Sequence, residues 1–270
     1  MKNILIVKPK TPCRKSPRYL LSLLIVLTCA SCEPSYRTKS SQGSRKTYTV
    51  ATANYDISLN SVERTAGTDK IYGEQRIEVV PEEGVSAFSF EDEIARIKWR
   101  PAPDDIGFVV DNKADHPMKI IWDESRFIDE KGVSHRLIHS GIGYEERNES
   151  HPPTVIDARG TLKDFVHPAD YFKREELGDG KSYKQLSYWK RVSFLPTQVK
   201  GKKEELRTKA EPLVGKTFQV VLALQIGDVR NDYVYTFKIN KVDVAEKEQQ
   251  QEKNPDEEKG SGKGGRRRAN

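Results

Sequence analysis

The segment KTFQVVLALQIG at residues 216–227 decides the fold class, because apolar and polar side chains alternate along it. In an extended chain one face would carry Phe218, Val220, Leu222, Leu224 and Ile226. After GDVRND, the segment DYVYTFKINKV places Tyr233, Tyr235, Phe237 and Ile239 on one face in the same way. Two alternating segments joined by a short loop rich in Gly, Asn and Asp predict a β-hairpin.

Upstream of this hairpin, shorter alternating segments predict further strands. They are IYGEQRIEVV (71–80), IARIKWR (94–100), IGFVV (106–110) and MKIIW (118–122). Turn sequences such as PAPDD and DNKADHP separate them, and no long amphipathic helix intervenes. Turns that recur this closely favour an all-β sandwich or barrel over an α/β fold. The one helical candidate is Lys202–Leu213, which Pro212 should end and which should form a short surface helix.

The N-terminal region has the features of an export signal. Its apolar run, Tyr19–Thr28, is shorter than the roughly 20 residues that a membrane-spanning helix needs. Six Lys or Arg residues and no acidic residue precede Cys32. A basic flank, a short apolar run and small residues at its end are typical of a secretory signal peptide. An ordinary cleaved signal or a buried helix is the alternative interpretation.

The end of this signal, Cys29-Ala30-Ser31-Cys32, resembles the lipobox of bacterial lipoprotein signal peptides. The resemblance implies that Cys32 becomes the lipid-bearing first residue, with membrane lipid as its partner. Cys29 departs from the pattern, since the family has an aliphatic residue there. Glu33 is not the aspartate of the inner-membrane retention signal, so we expect the outer membrane, facing the periplasm. Display on the cell surface is left open.

Removal of the signal would change both the charge and the cysteine content. The chain has 46 basic and 40 acidic residues, so without the six basic residues before Cys32 it would carry 40 of each. We therefore expect no nucleic-acid partner. The cysteines are Cys13, Cys29 and Cys32. An acylated Cys32 would leave no thiol for a disulfide, a nucleophile or a metal site.

The composition divides the chain into four parts. We expect a signal peptide at 1–31, a flexible tether at 32–46, a β-sandwich domain at 47–245 that could include an N-terminal hairpin extension, and a disordered charged tail at 246–270. The tail ends in GKGGRRRAN, a basic stretch that could contact anionic lipid, cell-wall polymer or nucleic acid; a solvated C-terminus is the simpler interpretation.

The segment 99–168 resembles a family of uncharacterised bacterial lipoproteins with an immunoglobulin-like sandwich. The matching elements are an aliphatic strand ending in Asn112-Lys113, a turn closed by Pro117, IIWD at 120–123, Phe127-Ile128-Asp129, Gly132 with Ser134-His135-Arg136, Pro152-Pro153 and a strand ending in Pro168. The resemblance covers about a quarter of the chain and implies an exported, immunoglobulin-like antiparallel β-sandwich. It implies no activity.

Histidines are the most suggestive candidates for a metal site, since His116, His135, His139, His151 and His167 are close in sequence. On a strand, His135 and His139 would share a face about 13 Å apart, which is too far for one zinc ion. We therefore expect no metal site, and surface or hydrogen-bonding roles for the histidines.

Catalytic signatures are weak. Ser140-Gly141-Ile142-Gly143 completes neither a dinucleotide fingerprint nor a nucleophile elbow, and a turn after a strand explains its glycines. Carboxylates are plentiful, for example Glu145, Glu146, Asp157, Asp164 and Asp170. A glycosidase needs two of them about 5–10 Å apart across a cleft, which the sequence cannot show.

Aromatic residues offer a possible ligand site. We expect Trp99, Trp122 and Trp189 to lie in the core because they occur in strands. Tyr144, Tyr171, Tyr183 and Tyr188 lie in polar sequence, where an aromatic residue is less expected.

These observations favour an envelope lipoprotein that is not an enzyme, uses no cofactor and has no catalytic residues. It would bind or assemble an unidentified envelope protein through its β-sandwich, at a ligand site that the sequence does not identify. A carbohydrate- or peptidoglycan-binding module is the alternative, with a cell-wall polymer as partner, and an exported hydrolase is a third.

Overall fold

Fifteen strands and one α-helix are present in the computed structural model, which describes residues 47–65, 72–82, 85–177 and 186–250. The signal, the tether and most of the tail lie outside these residues. The first strands are β1 (Thr47–Arg64), β2 (Arg76–Glu82), β3 (Val85–Glu91), β4 (Ala95–Pro101), β5 (Ile106–Asn112), β6 (Met118–Ile120), β7 (Arg126–Ile128) and β8 (Ser134–Ile138). The remaining elements are β9 (Thr154–Ile156), β10 (Thr161–Pro168), β11 (Phe172–Leu177), β12 (Leu186–Arg191), β13 (Gln198–Lys200), α1 (Lys203–Ala210), β14 (Thr217–Ile226) and β15 (Val229–Gln250), with 3-10 turns at Trp122–Glu124 and Glu211–Leu213.

Thirteen of the strands form one antiparallel sheet. Its order is β13-β1-β15-β14-β7-β8-β10-β5-β4-β3-β2, and β6 and β9 are attached beside β14. The predicted all-β class is therefore confirmed. The hydrogen-bonded path runs unbroken from one edge to the other, so the sheet is a curled half-barrel rather than two separate layers. β11 and β12 form a separate two-stranded hairpin.

The core lies inside this curl, where the face of β3–β5 packs against the face of β14–β15. Trp99 of β4 lies 4.7 Å from Tyr235 and 5.6 Å from Phe237, measured between ring centroids. Phe90 of β3 packs edge-on against Tyr233 at 5.7 Å. The apolar faces predicted for β14 and β15 are the ones that are buried here.

The turn between β14 and β15 is shorter than predicted. The loop was expected to span GDVRND, but Ile226 already pairs with Val229, which leaves only Gly227 and Asp228 in the turn. Gly227 has a φ of +57°, which glycine adopts without steric cost, and Gly at the first turn position is typical of tight hairpins.

Two other boundaries also differ from the prediction. β2 begins at Arg76 rather than Ile71, after Gly73 has turned the chain with a φ of +67°. The predicted disordered tail begins at residue 246, whereas β15 continues to Gln250. Its last residues form strand because they pair with Thr47–Ala51 of β1.

The predicted surface helix is confirmed. α1 covers Lys203–Ala210, and the 3-10 turn that contains Pro212 follows it. Leu206 and Ala210 are buried against Ala51 and Ala53 of β1, so the helix covers one face of the long β1–β15 pair.

Candidate binding site at the β11–β12 hairpin

The β11–β12 hairpin carries the largest exposed aromatic side chains of the described residues. Tyr188 is 44% exposed and Trp189 is 39% exposed. In the hairpin, Trp189 pairs with Arg174 and Tyr188 pairs with Glu175, so the two rings point to opposite faces. The prediction that Trp189 lies in the core is wrong, because its strand lies outside the main sheet. Trp99 and Trp122 are buried, as predicted.

Trp189 belongs to an aromatic cluster with Tyr144 and Phe172. The rings of Tyr144 and Trp189 are stacked, with centroids 3.8 Å apart and planes 11° apart. Phe172 packs edge-on against Tyr144 at 5.4 Å. The guanidinium of Arg147 lies 3.6 Å from the Tyr144 centroid and donates a hydrogen bond to the Tyr144 carbonyl. These contacts fix the orientation of the exposed indole before any ligand arrives.

The loop that supplies Tyr144 is held by backbone hydrogen bonds to two carboxylates, one on β10 and one within the loop itself. Ser140 N–H donates to Asp164 at 2.9 Å, and Gly143 N–H donates to Glu146 at 3.1 Å. Gly141 has a φ of +87° in the turn after β8, as the sequence predicted for these glycines. Asp164 and Glu146 therefore position the loop.

A charged groove of about 740 Å³ lies beside the hairpin, within the usual range for ligand pockets. Carboxylates and cations both line it: Asp104, Asp105, Glu175, Lys173, Lys190 and Arg191. Residues 192–198 form its remaining wall. Such a lining suits a ligand that carries charges of both signs. Sequence reasoning missed these residues, since the charged and aromatic residues of β11 (FKREEL) and β12 (LSYWKR) follow no alternating pattern.

Two contacts fix the walls of this groove. Ser193 Oγ donates hydrogen bonds to Asp104 and contacts Thr197 Oγ1 at 2.8 Å. Arg191 lies over the ring of Phe165 of β10, 4.4 Å from its centroid. The hairpin is thereby joined to the main sheet at its base.

The buried side chain of His167 links Asp104, which lines the groove, to Tyr171. Its ring nitrogens lie 2.7 Å from the carbonyl oxygen of Asp104 and 3.1 Å from that of Tyr171. A neutral imidazole can donate only one of these hydrogen bonds, yet burial disfavours the charged form and lowers the pKa of His167.

The structure places the histidines that the sequence singled out at separate positions, except that His139 and His151 are in contact. His135 lies 2.8 Å from Asp170 and 3.4 Å from Asp129. His139 stacks on Trp122 at 4.1 Å and meets His151 edge-on at 5.5 Å. Within the described ranges, no group of three or more His, Cys, Asp or Glu residues is arranged to hold a metal ion.

The other predicted candidates fall in different places. Tyr171 packs edge-on against His135 at 5.7 Å, and Tyr183 and Cys32 lie outside the described residues. In the part of the chain that the structure describes, no helix has the length and apolar character needed to cross a membrane.

Comparison with known proteins gives no relative. No family model matches the chain, and neither the curated proteins nor the solved structures include one that matches it significantly.

Proposed function

We propose that this protein is a membrane-anchored bacterial envelope lipoprotein without enzymatic activity, which binds a partner protein through the β11–β12 hairpin. The observation that carries the proposal is the exposure of Trp189, held rigidly on Tyr144 on one face of a hairpin whose other face borders the charged groove. Exposed aromatic side chains that are fixed in advance contribute most to protein interfaces, because they lose little conformational entropy on binding.

Anchoring would occur through acylated Cys32, in the outer membrane and facing the periplasm. Cys32 lies 15 positions before Thr47, the first residue of β1. A polar tether of that length holds the domain near the membrane at high effective concentration, so a modest intrinsic affinity would suffice for assembly.

We also propose that the fold is a variant of the immunoglobulin-like sandwich implied by the resemblance. The packing of Trp99 and Phe90 against Tyr233 and Tyr235 supports this interpretation, since it places two sheet faces around one core. β7, β8 and β10 would then be the strands that join the two faces at one side.

A cell-wall polymer is the second candidate ligand, because the site combines two features that such a polymer would use. The exposed indole of Trp189 offers a flat apolar surface for a sugar ring. The groove on the other side of the hairpin carries charges of both signs, as a peptide with amines and carboxylates requires.

The partner proposal predicts a crosslink that depends on position. A photoreactive phenylalanine analogue at position 174, which pairs with Trp189 and lies on the same face of the hairpin, should give a discrete crosslinked envelope protein in intact cells. Position 155 is the control, because Val155 is an exposed apolar residue on β9. Trp189→Ala should abolish the product from position 174. A product from both positions, or from neither, would refute the proposal.

The polymer candidate is tested by sedimentation with purified peptidoglycan. Binding that is lost in Trp189→Ala and kept in Val155→Ala would favour it. Equal sedimentation of both variants would eliminate this candidate and leave the protein partner.

The anchor is tested by intact mass of the protein extracted from membranes. We expect a species that starts at residue 32 and carries acyl chains, and its loss in Cys32→Ala. An unacylated species cleaved elsewhere would make the protein a freely exported one.

A further inference from the structure

The two ends of the described chain meet in one structure, here called the terminal ribbon. It comprises Thr47–Asp56 of β1 and Lys241–Gln250 of β15. Thr47 pairs with Gln250. On its other edge β1 pairs with β13, through Val50–Lys200 and Thr52–Gln198. The first and last described residues, Thr47 and Gln250, therefore lie side by side.

The pairing gives the terminal ribbon two chemically different faces, because paired residues lie on the same side of a sheet. One face, here called the basic face, carries Tyr48, Lys200, Lys247 and Gln249 around the buried Val50. The opposite face carries Glu246 and Glu248, together with Ala51 and Ala53 beneath α1. Near Thr47 and Gln250, cations and carboxylates are thus sorted to opposite sides.

The lysines of the basic face have no carboxylate partner among the described residues. Lys200 Nζ lies 5.6 Å from the ring centroid of Tyr48, and the Tyr48 hydroxyl donates to Gln249 at 3.1 Å. Acidic residues on the same side, Asp56 and Asp243, lie further toward the body of the domain, and Asp243 pairs with Lys241 at 2.7 Å.

A hollow of about 550 Å³ opens beside this face. It is lined by Tyr48, Thr49, Lys200, Gly201 and Lys202. Glu205, which follows on α1, is engaged by Lys209 at 2.9 Å. The hollow therefore presents two ammonium groups and an aromatic ring, which suits an anionic group on an amphipathic surface.

From this arrangement we infer that the basic face binds the anionic phospholipid headgroups of the membrane to which the chain is tethered. Charge complementarity supports the inference, as does the position of the face. The orientation rests on the proposed anchor and tether: a random coil over the 15 positions from Cys32 to Thr47 would span about 20 Å on average. The lipid would hold this end of the domain close to the headgroups.

The inference is tested without the anchor, so that its failure is distinct from failure of lipidation. The chain from residue 32 onward, with Cys32→Ser, is sedimented with phosphatidylcholine vesicles that contain or lack phosphatidylglycerol. Arg266, Arg267 and Arg268 are changed to Gln throughout, so that the C-terminal basic stretch does not mask the result. Binding should require phosphatidylglycerol and should weaken at high ionic strength.

Matched charge reversals then locate the surface. Lys200→Glu with Lys247→Glu should weaken vesicle binding by about tenfold or more, since each basic residue near an anionic surface contributes substantially. Lys131→Glu with Lys216→Glu changes the net charge equally at exposed positions outside the terminal ribbon and should bind nearly normally. Circular dichroism establishes that both variants are folded. Equal weakening of the two pairs, or no binding of the parent chain, would overturn the inference.

Discussion

Asp92 forms the buried polar centre of one end of the core. Its carboxylate pairs with Arg64 at 3.2 Å, and their side chains are 0% and 3% exposed. It also accepts hydrogen bonds from the Tyr233 hydroxyl and from the backbone N–H of Ala95. A buried charge network of this kind is strongly destabilised when one partner is removed, because the other charge stays buried without compensation.

Asp92→Ala should therefore lower the free energy of unfolding by about 3–5 kcal/mol. Urea denaturation measures this change. Asp115→Ala is the control, since its ion pair with Arg159 lies at the surface and should contribute little. Similar losses of unfolding free energy in both variants would mean that the buried network stabilises the fold no more than a surface ion pair does.

His167 predicts a pH dependence of stability. Burial lowers its pKa in the folded protein below the ordinary value of 6.5. The unfolded chain therefore takes up a proton at a pH where the folded protein does not, and acidification favours unfolding. Stability should be complete above about pH 7 and should fall as the pH drops below 6.5 toward the folded pKa.

His167→Gln should flatten this dependence between about pH 7 and pH 5. Carboxylates whose pKa is lowered in the folded protein do not interfere in this window. Hydrogen bonds from Arg96 and Lys113 lower the pKa of Glu91 to about 2, so its contribution to stability is lost only below its ordinary pKa of 4.5. Urea denaturation at several pH values measures both proteins. An equally steep slope in the variant would assign the effect to another group.

At the scale of single elements, the strands that sequence reasoning identified are those whose alternation is uniform. β14 and β15 carry large apolar residues at every second position and form the buried hairpin that was predicted. β1 escaped prediction although it is the longest partner of β15. Its first half has small residues where α1 covers Ala51 and Ala53, and two register shifts interrupt the alternation of the buried Ile57, Leu59 and Val62 in its second half.

The turn of the β14–β15 hairpin provides a prediction at this scale. Gly227→Ala should destabilise the protein by about 1 kcal/mol, since a side chain is strained at a φ of +57°. Gly107→Ala in β5 is the control, because a Cβ there meets its nearest neighbour at 3.9 Å and the backbone is extended. Thermal unfolding compares the two variants. A loss at position 107 that equals the loss at 227 would contradict the role of the turn conformation.

The candidate site shows why the local sequence pattern was insufficient to predict it. Tyr144 and Tyr188 stood out as aromatic residues in polar sequence, and both belong to the hairpin region. The aromatic cluster and the groove both depend on contacts between distant segments, such as Tyr144 with Trp189 and Ser193 with Asp104. No spacing along the chain records these contacts, so the groove could be found only from the fold.

At the scale of the whole molecule, the ordered domain reaches five residues beyond the boundary that composition indicates. The segment EKEQQ at 246–250 lacks apolar side chains, yet it is a strand because β1 satisfies its backbone hydrogen bonds. The neighbouring Val244 is half-buried and packs against the small cluster beneath α1. Stability at this end therefore comes from pairing and from that cluster.

Two truncations separate these contributions. A chain that ends at Gln250 should unfold at the same temperature as the full chain, since it keeps every pair between β1 and β15. A chain that ends at Asp243 loses the pairs from Thr47 to Ala53 and the packing of Val244, and should lose about 1–2 kcal/mol or more. Calorimetry measures both. If the two truncated chains unfolded alike, β15 would contribute no stability beyond residue 243, and the basic face would lack the rigid support on which its orientation depends.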